Sequence, residues 1–139
     1  MKRVVIVDTG PLVALLNRND AQHAWVMQQL RDIEPPMLTC EAVLAEATYL
    51  TRQTSGARVA LMEMLAEGFL RINIAVADQH GALLGMIRRY ADVPMSLADA
   101  CLVRLCEINP QSPVLTLDSD FTVYRKNGRQ VIEVLCPAR

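Results

Sequence analysis

Val4, Val5, Ile6 and Val7 follow one another without a polar break, and the run stops at Asp8. A strand with one wet face alternates. An unbroken β-branched run suits a strand covered on both faces, as in a parallel sheet packed between helices. Thr9-Gly10-Pro11 then turn the chain into Leu12, Leu15 and Leu16 at helical spacing, with proline tolerated in a first turn. Asp8 therefore belongs at the carboxyl end of a central strand, the edge at which open α/β sheets bind ligands. The chain repeats the arrangement: Val114-Leu115-Thr116-Leu117 ends at Asp118-Ser119-Asp120. As parallel neighbours, the two strands put Asp8 and Asp118 on one rim, within reach of one ion.

Between these two strands the pattern alternates. Ala24, Met27, Leu30 and Ile33 form the stripe of a second helix, which Asp20 can cap and Glu34-Pro35-Pro36 ends. Met37-Leu38-Thr39 reads as a strand, with Thr39 as cap of a helix over about 40–54. Another apolar helix, through Val59, Leu61, Met62 and Leu65, carries apolar residues on more than one face, which suggests a subunit interface. Residues 70–74 alternate as a strand, and Asp78 can cap the long helix that follows. Ser96 is a good N-cap, with Asp99 three residues on in a near-match to a capping box. Phe121 to Tyr124 reads as a short turn, Asn127-Gly128 as a tight turn, and 131–135 as a final edge strand. Strands and helices in alternation predict an α/β fold: a three-layer α/β/α sandwich with a central, mostly parallel sheet, in one domain over 1–139.

A chain of 139 residues that is 52% hydrophobic can fill one aliphatic core. Its net charge of −1 gives no broad basic field for duplex binding, although 12 of its 14 basic residues are arginine. Cys40, Cys101, Cys106 and Cys136 have no C-x-x-C spacing and read as free thiols in a reducing compartment. The apolar run after Met1-Lys2-Arg3 is too short for a signal peptide, and no stretch has the length of a membrane span. The expected location is cytoplasmic.

Each acid has an ordinary structural reading. Asp8 can cap the first helix, Asp99 can complete a capping box, and Asp118-Ser119-Asp120 can be an Asx-turn. Glu46 is harder to dismiss. It falls with Ala42, Val43, Ala47 and Leu50 on an apolar stripe, where an unpaired carboxylate costs several kcal/mol, so a cation should meet it. Four carboxylates drawn together repel without a cation and form an all-oxygen site with one, which suits Mg²⁺ or Mn²⁺. His23 and His80 lack zinc-ligand spacing. A hydrated Mg²⁺ suits phosphodiester hydrolysis. No G-x-G-x-x-G, Walker A or G-x-S-x-G motif points elsewhere.

Taken in order, Val7-Asp8-Thr9-Gly10-Pro11-Leu12, Val43-Leu44-Ala45-Glu46-Ala47, Leu97-Ala98-Asp99-Ala100 and Leu115-Thr116-Leu117-Asp118-Ser119-Asp120-Phe121 resemble the PIN domains, above all VapC-type ribonuclease toxins. The resemblance covers nearly the whole chain. It implies a divalent-cation-dependent endoribonuclease, a homodimer, and an antitoxin partner. By position it implies Asp8, Glu46 and Asp99 as metal ligands and catalytic acids, with Asp118 as the fourth acid and Asp120 sharing or replacing it. Thr9 and Thr116 would line the pocket. Two alternatives stand beside this reading: a binding module on the same scaffold that does not cut, and a metal-dependent DNA nuclease or phosphatase.

Overall fold

The computed structural model describes residues 2–138. Its centre is a five-stranded, wholly parallel sheet made of β1 (Ile6–Val7), β2 (Met37–Thr39), β3 (Leu70–Ile72), β4 (Val114–Leu115) and β7 (Val134–Leu135), in the order β3-β2-β1-β4-β7. A short antiparallel hairpin, β5 (Arg125–Lys126) and β6 (Gln130–Val131), stands outside it. Six helices connect the strands: α1 (Thr9–Leu16), α2 (His23–Leu30), α3 (Glu41–Leu50), α4 (Ala57–Ala66), α5 (Val76–Arg89) and α6 (Leu97–Ile108).

From β1 the chain winds outward through β2 to β3, then crosses back to lay β4 on the other side of β1. Parallel crossovers are right-handed, so reversing the winding direction sends α1–α4 to one face of the sheet and α5–α6 to the other. The main packing agrees: α1 lies against α2, α3 and α4, while α5 lies against α6, which crosses β1 and β2; α3 and α6 also meet each other. The switch in direction falls between β1 and β4, paired in register as Ile6↔Val114 and Val7↔Leu115. Val5, Ile6, Val7, Val114 and Leu115 have no exposed surface, as the unbroken apolar runs require.

Several boundaries differ from the sequence reading. Helix α2 starts at His23. Asp20 instead forms the turn before it, its carboxylate accepting from the Gln22 amide at 2.9 Å. Thr39 does not cap α3. It is still in the strand, and its hydroxyl donates to the Val7 carbonyl across the sheet at 2.9 Å, leaving Cys40 at the cap position. Asp78 lies in the first turn of α5, not before it. The final strand is two: Gln130–Val131 closes the hairpin and Val134–Leu135 joins β4, with Ile132 buried where the chain passes between them. The Asn127-Gly128 turn is as expected, with both residues at positive φ (53° and 78°). All four cysteines are free, three of them buried. Among the described residues, no helix is long and apolar enough to cross a membrane.

Candidate functional site

The carboxyl ends of β1 and β4 open into a cleft of about 620 Å³ at the switch point. Asp8, Glu46, Asp99, Asp118 and Asp120 all line it, and no cationic side chain is in its wall. Five acids from four separate stretches of chain thus share one hollow. Among the described residues, no three histidine, cysteine, aspartate or glutamate side chains close into a metal-binding group. The acids face a shared space without converging on one point.

Asp8 is both a cap and a cleft wall. Its Oδ1 accepts from the Thr9 amide at 2.8 Å, satisfying a first-turn donor of α1, and its Oδ2 accepts from the Thr116 hydroxyl at 2.9 Å. Thr116 Oγ1 in turn accepts from the Asp118 amide at 3.0 Å. Asp118 Oδ1 accepts from the Asp120 amide at 3.0 Å, capping the 3₁₀ turn Ser119–Thr122. On the other side, the Thr9 hydroxyl donates to Glu46 Oε2 at 3.2 Å. Two threonines therefore link Glu46, Asp8 and Asp118 in one chain of hydrogen bonds; Thr9 lines the cleft, whereas Thr116, expected to line it too, is fully buried behind Asp8.

Asp99 sits in the first turn of α6, where its amide donates to Ser96 Oγ at 3.0 Å, as the capping pattern predicts. Its carboxylate takes a different partner: Tyr124 Oη donates to Oδ2 at 2.8 Å. Tyr124 has no exposed surface and packs edge-on between Tyr90 (ring centroids 5.1 Å apart) and Phe121 (5.5 Å). The sequence reading missed Tyr124. The available signal was its rarity, one of six aromatic residues, just after the Asp118–Asp120 segment.

The Glu46 premise needs correction. The buried positions of α3 are Val43 and Ala47, and Glu46 is exposed. One residue is 100° of helix, which turns Glu46 from the core to the cleft edge. It needs no buried cation, and a threonine hydroxyl meets it instead. Gly10 allows the cleft wall to close: a Cβ there would stand 3.2 Å from Leu117, which lines the opposite side.

Burial pushes the Asp8 carboxyl up to about 6. Hydrogen bonds from Thr9 and Thr116 oppose the shift, and the charges of Asp99 and Glu46 add to it. Asp120 is also raised, by desolvation and then by Asp118 and Asp99. Desolvation, with the Asp99 carboxylate it faces, lifts the Tyr124 phenol above its ordinary range. An all-oxygen set of mutually repelling carboxylates, at least one of them desolvated, fits a hard divalent cation and no softer ion.

A parallel sheet that reverses its winding at β1, with acids gathered on the rim of that reversal, defines the class. The PIN domain model matches residues 5–127, and this chain belongs to the PIN domain family. Its relatives include Ribonuclease VapC26 of Mycobacterium tuberculosis (strain ATCC 25618 / H37Rv), 28% identical over 127 residues that span 89% of this chain and 94% of the relative. The crystal structure of VapC20 from the same species, described as a sarcin-ricin loop cleaving toxin, matches with a TM-score of 0.75. It covers 86% of this chain and 93% of its own at 23% identity, a likeness of fold.

Proposed function

We propose that this chain is a divalent-cation-dependent endoribonuclease, and the toxin of a toxin–antitoxin pair. The observation that carries the reading is the cleft: five carboxylates, no cation in the wall, at the switch point of a parallel sheet. The ribonuclease name of the VapC26 relative supports RNA as the polymer.

Asp8, Asp99 and Asp118 would hold Mg²⁺, with Mn²⁺ as a substitute. Asp118 takes precedence over Asp120 because Thr116 ties its backbone to Asp8. Acids that share a space without closing on a point suit an ion that keeps several waters and completes its shell with substrate phosphate. When bound, the cation stabilises charge that builds on the phosphate under attack. Glu46 is exposed and gives Oε2 to Thr9, so its other oxygen is free to accept a hydrogen bond from an attacking water and orient it. Tyr124 fixes Asp99 Oδ2 and directs the remaining oxygen into the cleft. Leu50, Val59 and Met62 leave a band of exposed apolar surface on α3 and α4, the face for a homodimer. As the toxin of such a pair, the chain would have a protein antitoxin as its partner.

The test is cleavage of a mixed single-stranded RNA by purified protein with Mg²⁺, with Mn²⁺ and in EDTA. Branched DNA and a small phosphate ester serve as comparison substrates. Asp8→Asn should fold normally by circular dichroism and lose on the order of 10²-fold or more in cleavage rate. Full activity in that variant, or a preference for DNA or the ester, overturns the reading.

A further inference from the structure

The cleft poses a problem that it does not solve. It repels a polyanion, and no arginine or lysine lines it. A net charge of −1 hides how the cations are distributed.

A second cavity, of about 250 Å³, lies between α5, α6 and the β5–β6 hairpin, and both Arg89 and Arg125 line it. Each guanidinium is fastened by backbone carbonyls. Arg89 Nη2 donates to the Gly128 carbonyl. Arg125 Nη1 donates to the carbonyls of Thr122, Val123 and Tyr124 at 2.7, 3.3 and 3.0 Å. Neither has a carboxylate partner: among the described residues, the ion pairs are Arg3–Glu133 and Arg104–Glu107. Glu107, the one acid in this cavity, is already spent, with Oε1 on Arg104 at 3.0 Å and Oε2 on the Asn127 amide. Two immobilised, uncompensated positive charges therefore face one pocket.

A cation in the last turn of α5 is favourable in its own right, so the charge of Arg89 alone says little. Its placement says more. A Cβ at position 128 would stand 2.8 Å from Arg89 Nη1, and φ at Gly128 is +78°. Glycine there leaves room for the guanidinium beside the hairpin turn. This pocket and the acidic cleft share a partition. Tyr90 lines the pocket and packs edge-on against Tyr124, whose hydroxyl holds Asp99. Arg125 begins five residues beyond Asp120 and caps the carbonyl of that same Tyr124.

The geometry points to a phosphate-binding subsite formed by Arg89 and Arg125, which holds a backbone phosphate of the RNA strand whose scissile bond lies in the acidic cleft. It rests on the ribonuclease reading and adds the direction in which the strand leaves the site. Guanidinium forks suit phosphate oxygens, and each has nitrogens not committed to carbonyls.

The experiment is fluorescence anisotropy of a 5′-labelled, mixed-sequence single-stranded RNA in EDTA across a salt series, with single-turnover cleavage in Mg²⁺ alongside. Arg89→Gln removes one phosphate contact. It should raise Kd about five-fold at 0.1 M salt and flatten the slope of log K against log salt by ~0.7. Arg89→Lys keeps the charge and should restore most of the slope. Arg31→Gln, at the C-terminal end of α2, should bind as wild type. Arg89 carries the test because Arg125 also ties down the turn. Wild-type affinity and slope in Arg89→Gln, or an equal loss in Arg31→Gln, overturns the subsite while leaving the nuclease standing. Wild-type protein that binds through Arg89 without cutting overturns the nuclease and keeps the subsite. Protein that neither binds nor cuts overturns both.

Discussion

Asp8 holds two hydrogen bonds and still has its carboxyl raised from the ordinary 3.8 to about 6, because lost hydration outweighs them. A folded-state value above the unfolded one means that stability from this residue is full below about pH 4 and is lost as pH rises through 6. The shift is about 2 units, about 3 kcal/mol, and an asparagine gives back about 1 kcal/mol in poorer hydrogen bonding. In EDTA, Asp8→Asn should be slightly less stable than wild type, by about 1 kcal/mol, at or below pH 4 and more stable by roughly 2 kcal/mol at pH 8. Equal melting temperatures at pH 8 would show that Asp8 is not the strained acid. The same residues show what a sequence reveals. Asp8, Asp99 and Asp118 were legible because each stands at a strand end or helix mouth, where local pattern fixes direction. Glu46 was found for the wrong reason: a stripe resolves a helix face only to about one residue, and its edge here is the cleft. The Tyr124 hydroxyl on Asp99 joins residues 25 apart in sequence, and no periodicity connects them.

At the scale of elements, capping and function coincide. Ser96 accepts the Asp99 amide and so sets the first turn that aims Asp99. Ser96→Ala should cost about 1 kcal/mol in urea melts, and it should weaken cleavage more than an equally destabilising change elsewhere. Activity that follows stability alone would reduce Ser96 to a cap. The alternation of strands and helices was legible because apolar runs and turn residues punctuate it. The split of 131–135 was not. Val131 and Val134 look alike in sequence, but Val131 pairs in the hairpin and Val134 on the sheet edge, 69% exposure in the first marking the difference. Thr39 was misassigned because a threonine before a helix caps it only if the chain has already left the strand.

For the whole molecule, the acidic cleft sets a test of the cation. Mn²⁺ at ~100 times its Kd adds about 2.7 kcal/mol, a rise of roughly 5–10 °C for a chain of this size. Asp8→Asn should lose most of that rise, and an unchanged melting curve for wild type counts against the ion site. Overall composition concealed this polarity, since acids in one hollow and arginines in the next cancel in the sum.

The Asp8 amide donates to the Leu115 carbonyl at 3.0 Å, so the residue at the heart of the site is also a rung between the central strand and its neighbour β4. That wall of the hollow consequently has no hinge of its own. It cannot breathe open while the centre of the sheet stays shut, and heat should extinguish the chemistry at the temperature where the molecule comes apart, not before it.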